Sequence, residues 1–448
     1  MRYIHLQLLF LAATLASTSD SGQDYCSVLN VTSIFSSLSH SPQSHLKSAP
    51  VVSKQDDIAK RLGFDESGFM ERYSHAHQFN RNMFLPLVKS IVTMDYFRYV
   101  KINLNRPCAL WCNADKCNLR DCQVKTFSDP DKCPISSYED SNELATVNTE
   151  LGTDQLDLLT NLFECNDNDD HDAQYVDLLL NPERFTGYSG ESAHRIWRAI
   201  YEENCFVTKP QSPFEQELCY EERLFYEAIS GLHTSINLHL CAEYPSNAMI
   251  GSFEPNVQEF IRRFENHNDY IENLYKLYFM ELRALARCKP YLMKRVNWPD
   301  SSTKNAISDL LKVVEKFNIP LFQDFSLKPS HVSHQLAIHF RNITTTIIDC
   351  VACDKCKLWG KIQLRGLGTA FKILSVKDLS KFHLNHPEIS SLVNALARLS
   401  HSIRNLEEFR DLLRKSHQHK KRLASSSKGD KKTATSNDCK SHVDLFEL

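Results

Sequence analysis

The sequence predicts an all-α protein, a single large helical domain interrupted by a long cysteine-bearing loop. Three observations lead there. Only 12 glycines occur in 448 residues, too few for the tight turns of a sandwich or barrel and for Gly-rich phosphate loops. Apolar residues recur at three-to-four-residue spacing over much of the chain, the period of a helix with one buried face. No Pro/Gly/Ser linker interrupts residues 60–415, so a length that would allow two or three domains is read as one.

In chain order, residues 1–18 open with a basic start at Arg2 and an apolar run from Leu6 to Ala16, followed by the small residues Ser17, Thr18 and Ser19. This pattern predicts a cleaved secretory signal peptide, being too short to cross a bilayer as a stable helix. No later segment reaches the roughly 18 uninterrupted apolar residues of a membrane span. The mature chain is therefore expected in an oxidising lumen. Residues 19–55 form a Ser-rich arm, and 56–415 form the helical domain. Within it Met83, Phe84, Leu87, Val88, Ile91, Val92 and Met94 predict a helix over 82–100. Residues 192–204, 215–243, 256–288, 301–318 and 388–415 show the same period. Convincing alternating strands are few. From Cys108 to about Asn148 a polar stretch with Pro130 and Pro134, just after Pro107, reads as a long loop. Residues 416–448 are basic and Ser-rich, and are expected to be disordered.

Composition excludes some functions. With 42% hydrophobic residues and a net charge of -3, nothing pulls the chain toward nucleic acid. Two acceptor tripeptides, beginning at Asn30 and Asn342, predict glycosylation and agree with a secretory route. Fifteen cysteines leave at least one thiol free in any monomer. A chain of this length buries its own core, so its cysteines need reasons other than scaffolding.

Chemistry concentrates in Cys350-Val-Ala-Cys353-Asp-Lys-Cys356. On one helix this spacing aligns three sulfurs along a face, where only one neighbouring pair is bridged at a time and the third needs a partner elsewhere. A second group, Cys108, Cys112, Cys117 and Cys122, lies in the loop, with Cys133 further on. A bridge from Cys117 to Cys122 would stabilise by only about 2 kcal/mol, whereas one from Cys108 to Cys350 would give about 5 kcal/mol. The first kind opens easily and the second staples distant segments. Lys116, Arg120 and Lys355 favour thiolates, while Asp121 and Asp354 oppose them, so spacing alone leaves the pKa effect unsigned. A zinc site from these cysteines plus one from the loop is the competing reading, but zinc sites seldom use three cysteines this evenly and closely spaced.

The run Asp349-Cys350-Val-Ala-Cys353-Asp-Lys-Cys356-Lys-Leu-Trp359-Gly360-Lys361, with Gly366-Leu-Gly368-Thr369-Ala370 after it, resembles the endoplasmic reticulum oxidoreductin family. So do Tyr96-Phe97-Arg98-Tyr99, Asn103-Leu104, Arg106-Pro107-Cys108 and Arg120-Asp121-Cys122, and the likeness runs from about residue 80 to 414. The resemblance implies a helical FAD enzyme, resident in the endoplasmic reticulum lumen, that makes disulfides de novo. It would oxidise protein disulfide isomerase and reduce molecular oxygen to hydrogen peroxide. Cys117 and Cys122 are then the shuttle pair, Cys353 and Cys356 the active-site pair, with Cys353 facing the shuttle. Cys108–Cys350 and Cys205–Cys219 are implied structural disulfides, and Cys165 with Cys288 is a guess.

FAD is bound in this family without a dinucleotide fingerprint, inside a helical bundle, and Gly366-Leu-Gly368 follows the cysteine run instead of a strand. The matching motifs are Asn181-Pro182-Glu183-Arg184-Phe185-Thr186-Gly187-Tyr188, Ile196-Trp197, Ser230-Gly231-Leu232-His233 and Glu281-Leu282-Arg283-Ala284-Leu285. They imply Arg184, Thr186, Trp197, Ser230, His233 and Arg283 around the cofactor. Taken singly, a helical His or Trp is more often core packing, and an Arg more often a solvated charge. A second arginine found near the pyrophosphate in some relatives has no match around Asp269 and Tyr270. Cys112 and Cys133 depart from the family pattern; either could trap a shuttle cysteine, pair with the other, or stay a thiol. Cys26, Cys241 and Cys439 carry no assignment. The C-terminal Asp444-Leu-Phe-Glu-Leu448 shares two residues with the usual retention signal, which points to retention through partners. A monomer, peripheral to the lumenal membrane face and without metal, is expected. The alternative is a catalytically impaired lumenal partner-binding protein of the same fold.

Overall fold

The computed structural model describes residues 69–108, 122–127, 132–136, 172–183, 220–243, 254–265, 267–317, 347–376 and 383–429. Helix α1 (Phe69–Phe79) passes through a π-helical turn, Asn80–Phe84, into α2 (Leu85–Ile91), and α3 (Asp95–Arg98) leads into strand β1 (Tyr99–Ile102). Strand β2 (Gln174–Asp177) pairs antiparallel with β1, Tyr99 opposite Asp177. There follow α4 (Tyr220–Leu240), the short pair β3 (Ala242–Glu243) and β4 (Glu254–Pro255), α5 (Val257–Phe264) and α6 (Asn268–Lys294). Helices α7 (Ser301–Lys316), α8 (Ile347–Asp349), α9 (Asp354–Ser375) and α10 (His386–Gly429) complete the described chain. The fold is helical, as the apolar period predicts.

Local chemistry sets the boundaries. Helix α7 starts where the Asp300 carboxylate accepts from Thr303 N at 2.7 Å and Thr303 Oγ1 at 2.8 Å, and α5 where Asn256 Oδ1 accepts from Glu259 N at 3.0 Å. The core is built on α4 against α6 and on α9 against α10, with α6 also touching α9 and α10. Both main pairs approach closely at a glycine. A Cβ on Gly231 would sit 2.5 Å from Asn273 O, and one on Gly366 2.5 Å from Ala395 Cβ and 2.7 Å from Ser391 O. Gly366 is therefore a packing residue inside α9, not part of a phosphate loop.

Four expectations change. The helix predicted over 82–100 is broken: α2 ends at Ile91, the chain turns at an extended Met94, α3 covers only Asp95–Arg98, and Tyr-Val-Lys-Ile at 99–102 pairs with β2. The run 256–288 is two helices, the first ending at Phe264 and the second starting at Asn268. The last helix does not stop at 415 but continues to Gly429, so the first part of the basic tail is helical; cations near a helix C-terminus suit its dipole. Finally, the three cysteines do not share one helix. Cys350 lies just past α8, and Cys353 caps α9 in an extended conformation (φ -93°, ψ 117°), so the chain turns between them. The predicted helix over 192–204, the arm 19–55 and the signal segment lie outside the described residues.

Candidate active site

At the start of α9 the fold collects five sulfurs. Cys350 is joined to Cys108 across 242 residues, with Cα atoms 4.5 Å apart, which removes it from the redox set. Cys353 Sγ accepts from Cys356 N at 3.4 Å and from the Cys356 thiol at 2.8 Å. Cys122, from the loop, is buried and bonds to the same Cys353 sulfur. Cys353 thus stands between Cys122 and Cys356.

Their electrostatics differ. Hydrogen bonding from the Cys356 thiol lowers the Cys353 pKa most; burial opposes it, and bonds from Cys122 and from the backbone N–H groups of Cys356 and Lys355 help, leaving it at about 7. The N-terminus of α9 favours the same thiolate. Cys356 goes the other way, held far above its ordinary value by burial and then by its hydrogen bond to Cys353 and the Cys353 charge. One sulfur is a ready thiolate and leaving group; its neighbour keeps a proton.

Several groups fix this arrangement. Lys357 Nζ donates to Leu104 O at 3.1 Å and Lys361 Nζ to Asn103 O at 2.8 Å, with Asp349 2.6 Å from Lys361. These lysines, one turn apart on α9, hold the chain just before Cys108. After Cys122, Lys125 exchanges two hydrogen bonds with the Asn181 side chain, at 2.7 and 2.8 Å, and Trp359 Nε1 donates to Asn181 O at 2.8 Å. Asp177, clamped by Arg98 at 2.8 and 2.5 Å, anchors the turn that carries Asn181. Sequence reading missed Lys357, Lys361 and the role of Asn181. The i, i+4 lysine spacing was visible, but its carbonyl partners were not.

Of the expected cofactor residues, Arg184, Thr186 and Trp197 lie outside the described residues, and so does shuttle Cys117. Ser230 is fully buried and accepts from Asn273 Nδ2 at 3.1 Å. His233 is half-buried, 6.1 Å ring to ring from Tyr270, which stacks on His267 at 4.6 Å. Burial, then the charges of Arg263 and His267, push the His233 pKa down to about 3, so its imidazole is neutral. Arg283 is exposed on α6, about 20 Å along the helix axis from Tyr270.

The bundle leaves buried polar atoms open to a polar ligand such as the expected flavin. Among the described residues, buried Oε2 of Glu281 on α6 and Oε1 of Gln363 on α9 lack hydrogen-bond partners, an arrangement a polar ligand would satisfy. Burial holds the Glu281 pKa well above 4.5, so it offers a donor. Gln363 Nε2 donates to Glu183 at 3.2 Å, and Glu183 is also ion-paired with Arg398. Glu183 directly precedes Arg184.

The remaining cysteines are quieter. Cys288 is a buried thiol with its pKa pushed up by burial to about 12, so the guessed bridge to Cys165 is not formed; Cys165 itself lies outside the described residues. Cys241 donates to Asn237 O at 3.1 Å, and burial raises it too to about 12. Cys133 is a buried thiol packed with Tyr99, Ile135 and Tyr175. Such high values make Cys241 and Cys288 unreactive. Cys26, Cys112, Cys205, Cys219, Cys439, Asn30 and Asn342 fall outside the described residues. Among the described residues no group of His, Cys, Asp or Glu could hold a metal ion, and no helix is long and apolar enough to cross a membrane.

Comparison with known proteins bears out the family and the helical fold. A family model, Endoplasmic Reticulum Oxidoreductin 1, matches residues 83–406. ERO1-like protein alpha of Homo sapiens is 37% identical over 419 residues, covering 76% of this chain and 88% of that protein. Ero1-like protein of Drosophila melanogaster is 36% identical over 422 residues, covering 75% and 87%. The solved structure of Ero1p, described as the source of disulfide bonds for oxidative protein folding in the cell, superposes with a TM-score of 0.54. It is 29% identical, covering 77% of this chain and 99% of that one.

Proposed function

This chain belongs to the Endoplasmic Reticulum Oxidoreductin 1 family, and from that premise we propose that this oxidoreductase is an FAD-dependent thiol oxidase generating disulfides de novo for protein disulfide isomerase. The observation that carries the reading is the Cys353 sulfur hydrogen-bonded on one side to the Cys122 thiol and on the other to the Cys356 thiol. A shuttle sulfur meets an active-site pair.

The relay uses ordinary thiol–disulfide exchange. A thiolate of the partner's dithiol attacks Cys117 in the Cys117–Cys122 disulfide and releases Cys122 as thiolate. The partner's second thiolate resolves that mixed disulfide, and the partner leaves oxidised. Cys122 then attacks Cys353 Sγ, breaking Cys353–Cys356 and sending the electron pair to Cys356. Attack of Cys117 on Cys122 restores the shuttle bridge and expels Cys353, whose pKa of about 7 makes it the better leaving group. The pair Cys353/Cys356 now holds two electrons. Arg184, Thr186, Trp197, Ser230, His233 and Arg283 would hold FAD, which would supply a two-electron acceptor for the pair, with molecular oxygen as the final oxidant and hydrogen peroxide as the product. Neutral His233 and protonated Glu281 add no charge to the bundle. Cys353 and Cys356 are both fully buried, which keeps bulk water from the pair.

The same reading has a lumenal monomer, peripheral to the membrane face, with Asn30 and Asn342 glycosylated and Cys205–Cys219 as a second structural disulfide. The oxidase domain spans residues 56–415, behind a signal peptide and a Ser-rich arm. Purified protein should be yellow, consume oxygen with reduced isomerase, and release peroxide. Cys353→Ala with Cys356→Ala should abolish oxygen uptake while flavin stays bound; unchanged uptake would refute the assignment.

A further inference from the structure

We propose that Asn181 is a positioning residue for the exchange between Cys122 and Cys353, an inference that rests on the relay just described. Asn181 is fully buried, and its side-chain amide acts as a strand partner for Lys125. Its Oδ1 accepts from Lys125 N at 2.7 Å, and its Nδ2 donates to Lys125 O at 2.8 Å and Asp177 O at 2.9 Å. Its own carbonyl accepts from Trp359 Nε1 at 2.8 Å. Lys125 lies three residues after Cys122, and Trp359 three residues after Cys356. One asparagine therefore ties the stem of the attacking sulfur to the helix carrying the attacked one.

Among the described residues no other hydrogen bond holds Lys125; the neighbouring Val124 adds only apolar packing with the cluster that contains Leu358 and Ile362. The stem continues into the bridge of Thr126 with Val176 and the bond from Phe127 N to Tyr175 O at 3.0 Å. Those bonds fix it to β2, whereas Asn181 and Trp359 fix it to α9. Residue 183 extends the contact, since Gln363, one turn beyond Trp359, donates to Glu183 at 3.2 Å and to Trp359 O at 3.1 Å. The turn 177–183 is thus a clasp between two redox segments. Exchange needs the attacking sulfur close to and in line with the bond it breaks, and a displacement of about 1 Å can cost about 100-fold in rate.

The experiment follows the Cys122–Cys353 mixed disulfide directly. In full-length protein carrying Cys117→Ala and Cys356→Ala, both resolving sulfurs are gone. Glutathione disulfide then oxidises the two remaining relay thiols, Cys122 and Cys353, to one bridge, releasing two glutathiones, and the rate of that bridge is read by peptide mass spectrometry after acid quench. Adding Asn181→Ala should slow bridge formation about 10- to 100-fold, and Trp359→Phe, which keeps the packed ring but loses the N–H, should slow it in the same direction. Asn80→Ala controls for general loosening, because Asn80 is equally buried but, among the described residues, its side chain bonds to Ser400 and Tyr278, away from the clasp; it should lower the melting temperature and leave the rate alone. Parent-like rates with Asn181→Ala, or equal slowing by Asn80→Ala, overturn the proposal while the relay stands. A parent that forms no Cys122–Cys353 bridge overturns the relay and the proposal together.

Discussion

Removing the Cys108–Cys350 staple measures how much of this fold depends on closing a long loop. The bridge spans 242 residues, and chain-entropy arithmetic for a loop of that length gives about 5 kcal/mol of stabilisation through the unfolded state. The whole stability of an ordinary domain is about 5 to 15 kcal/mol. The perturbation should be the double variant Cys108→Ala with Cys350→Ala, since a single change leaves a thiol three residues from Cys353. Native alignment survives it, because Lys357 and Lys361 bind Leu104 and Asn103 independently of the bridge. Equilibrium urea unfolding, followed by far-ultraviolet circular dichroism, should show a midpoint lowered by the equivalent of about 5 kcal/mol with the slope rising only if the unfolded chain expands. A loss under about 1 kcal/mol would mean that the unfolded state is already constrained there, and would refute the entropic account.

Two further outcomes follow from the charges and the packing. Burial, then Arg410, hold the His77 pKa down at about 4. The unfolded chain takes up that proton first, so stability present above the ordinary histidine value is lost as pH falls from about 6.5 toward 4; the loss is about 2 kcal/mol at pH 5, and His77→Gln should flatten the acid limb of a melting-temperature profile. Gly366→Ala forces a methyl to 2.5 Å from Ala395 Cβ, and thermal melts should show about 1 to 3 kcal/mol of destabilisation.

The helices were legible because their apolar residues repeat at the period of a turn, and Ile271, Leu274, Tyr278, Leu282 and Leu285 all reach the core where that period puts them. Breaks were harder. Nothing in an apolar count marks the break between Phe264 and Asn268, although Asn256 and Asp300 are ordinary N-cap residues that could have dated the starts of α5 and α7. Cysteine is not among the usual N-caps, so Cys353 was read inside a helix it actually begins. The sulfur pairings lie on motifs visible in the sequence, but the reason for their alignment does not. Asn181 reaches Lys125 and Trp359 across 56 and 178 residues, and no local rule reports such contacts. Signs of pKa shifts were equally hidden: Lys355 and Asp354 beside the pair contradict one another, while the decisive bond comes from Cys356.

Anaerobic stopped-flow mixing tests the relay most directly. Reduced protein disulfide isomerase should bleach the yellow absorbance of the wild-type enzyme; Cys122→Ala should abolish that bleaching, while dithiothreitol, small enough to reach Cys353 and Cys356 unaided, still bleaches it. Equal bleaching of both proteins by the isomerase would contradict the account, because electrons would then reach the pair without passing through Cys122.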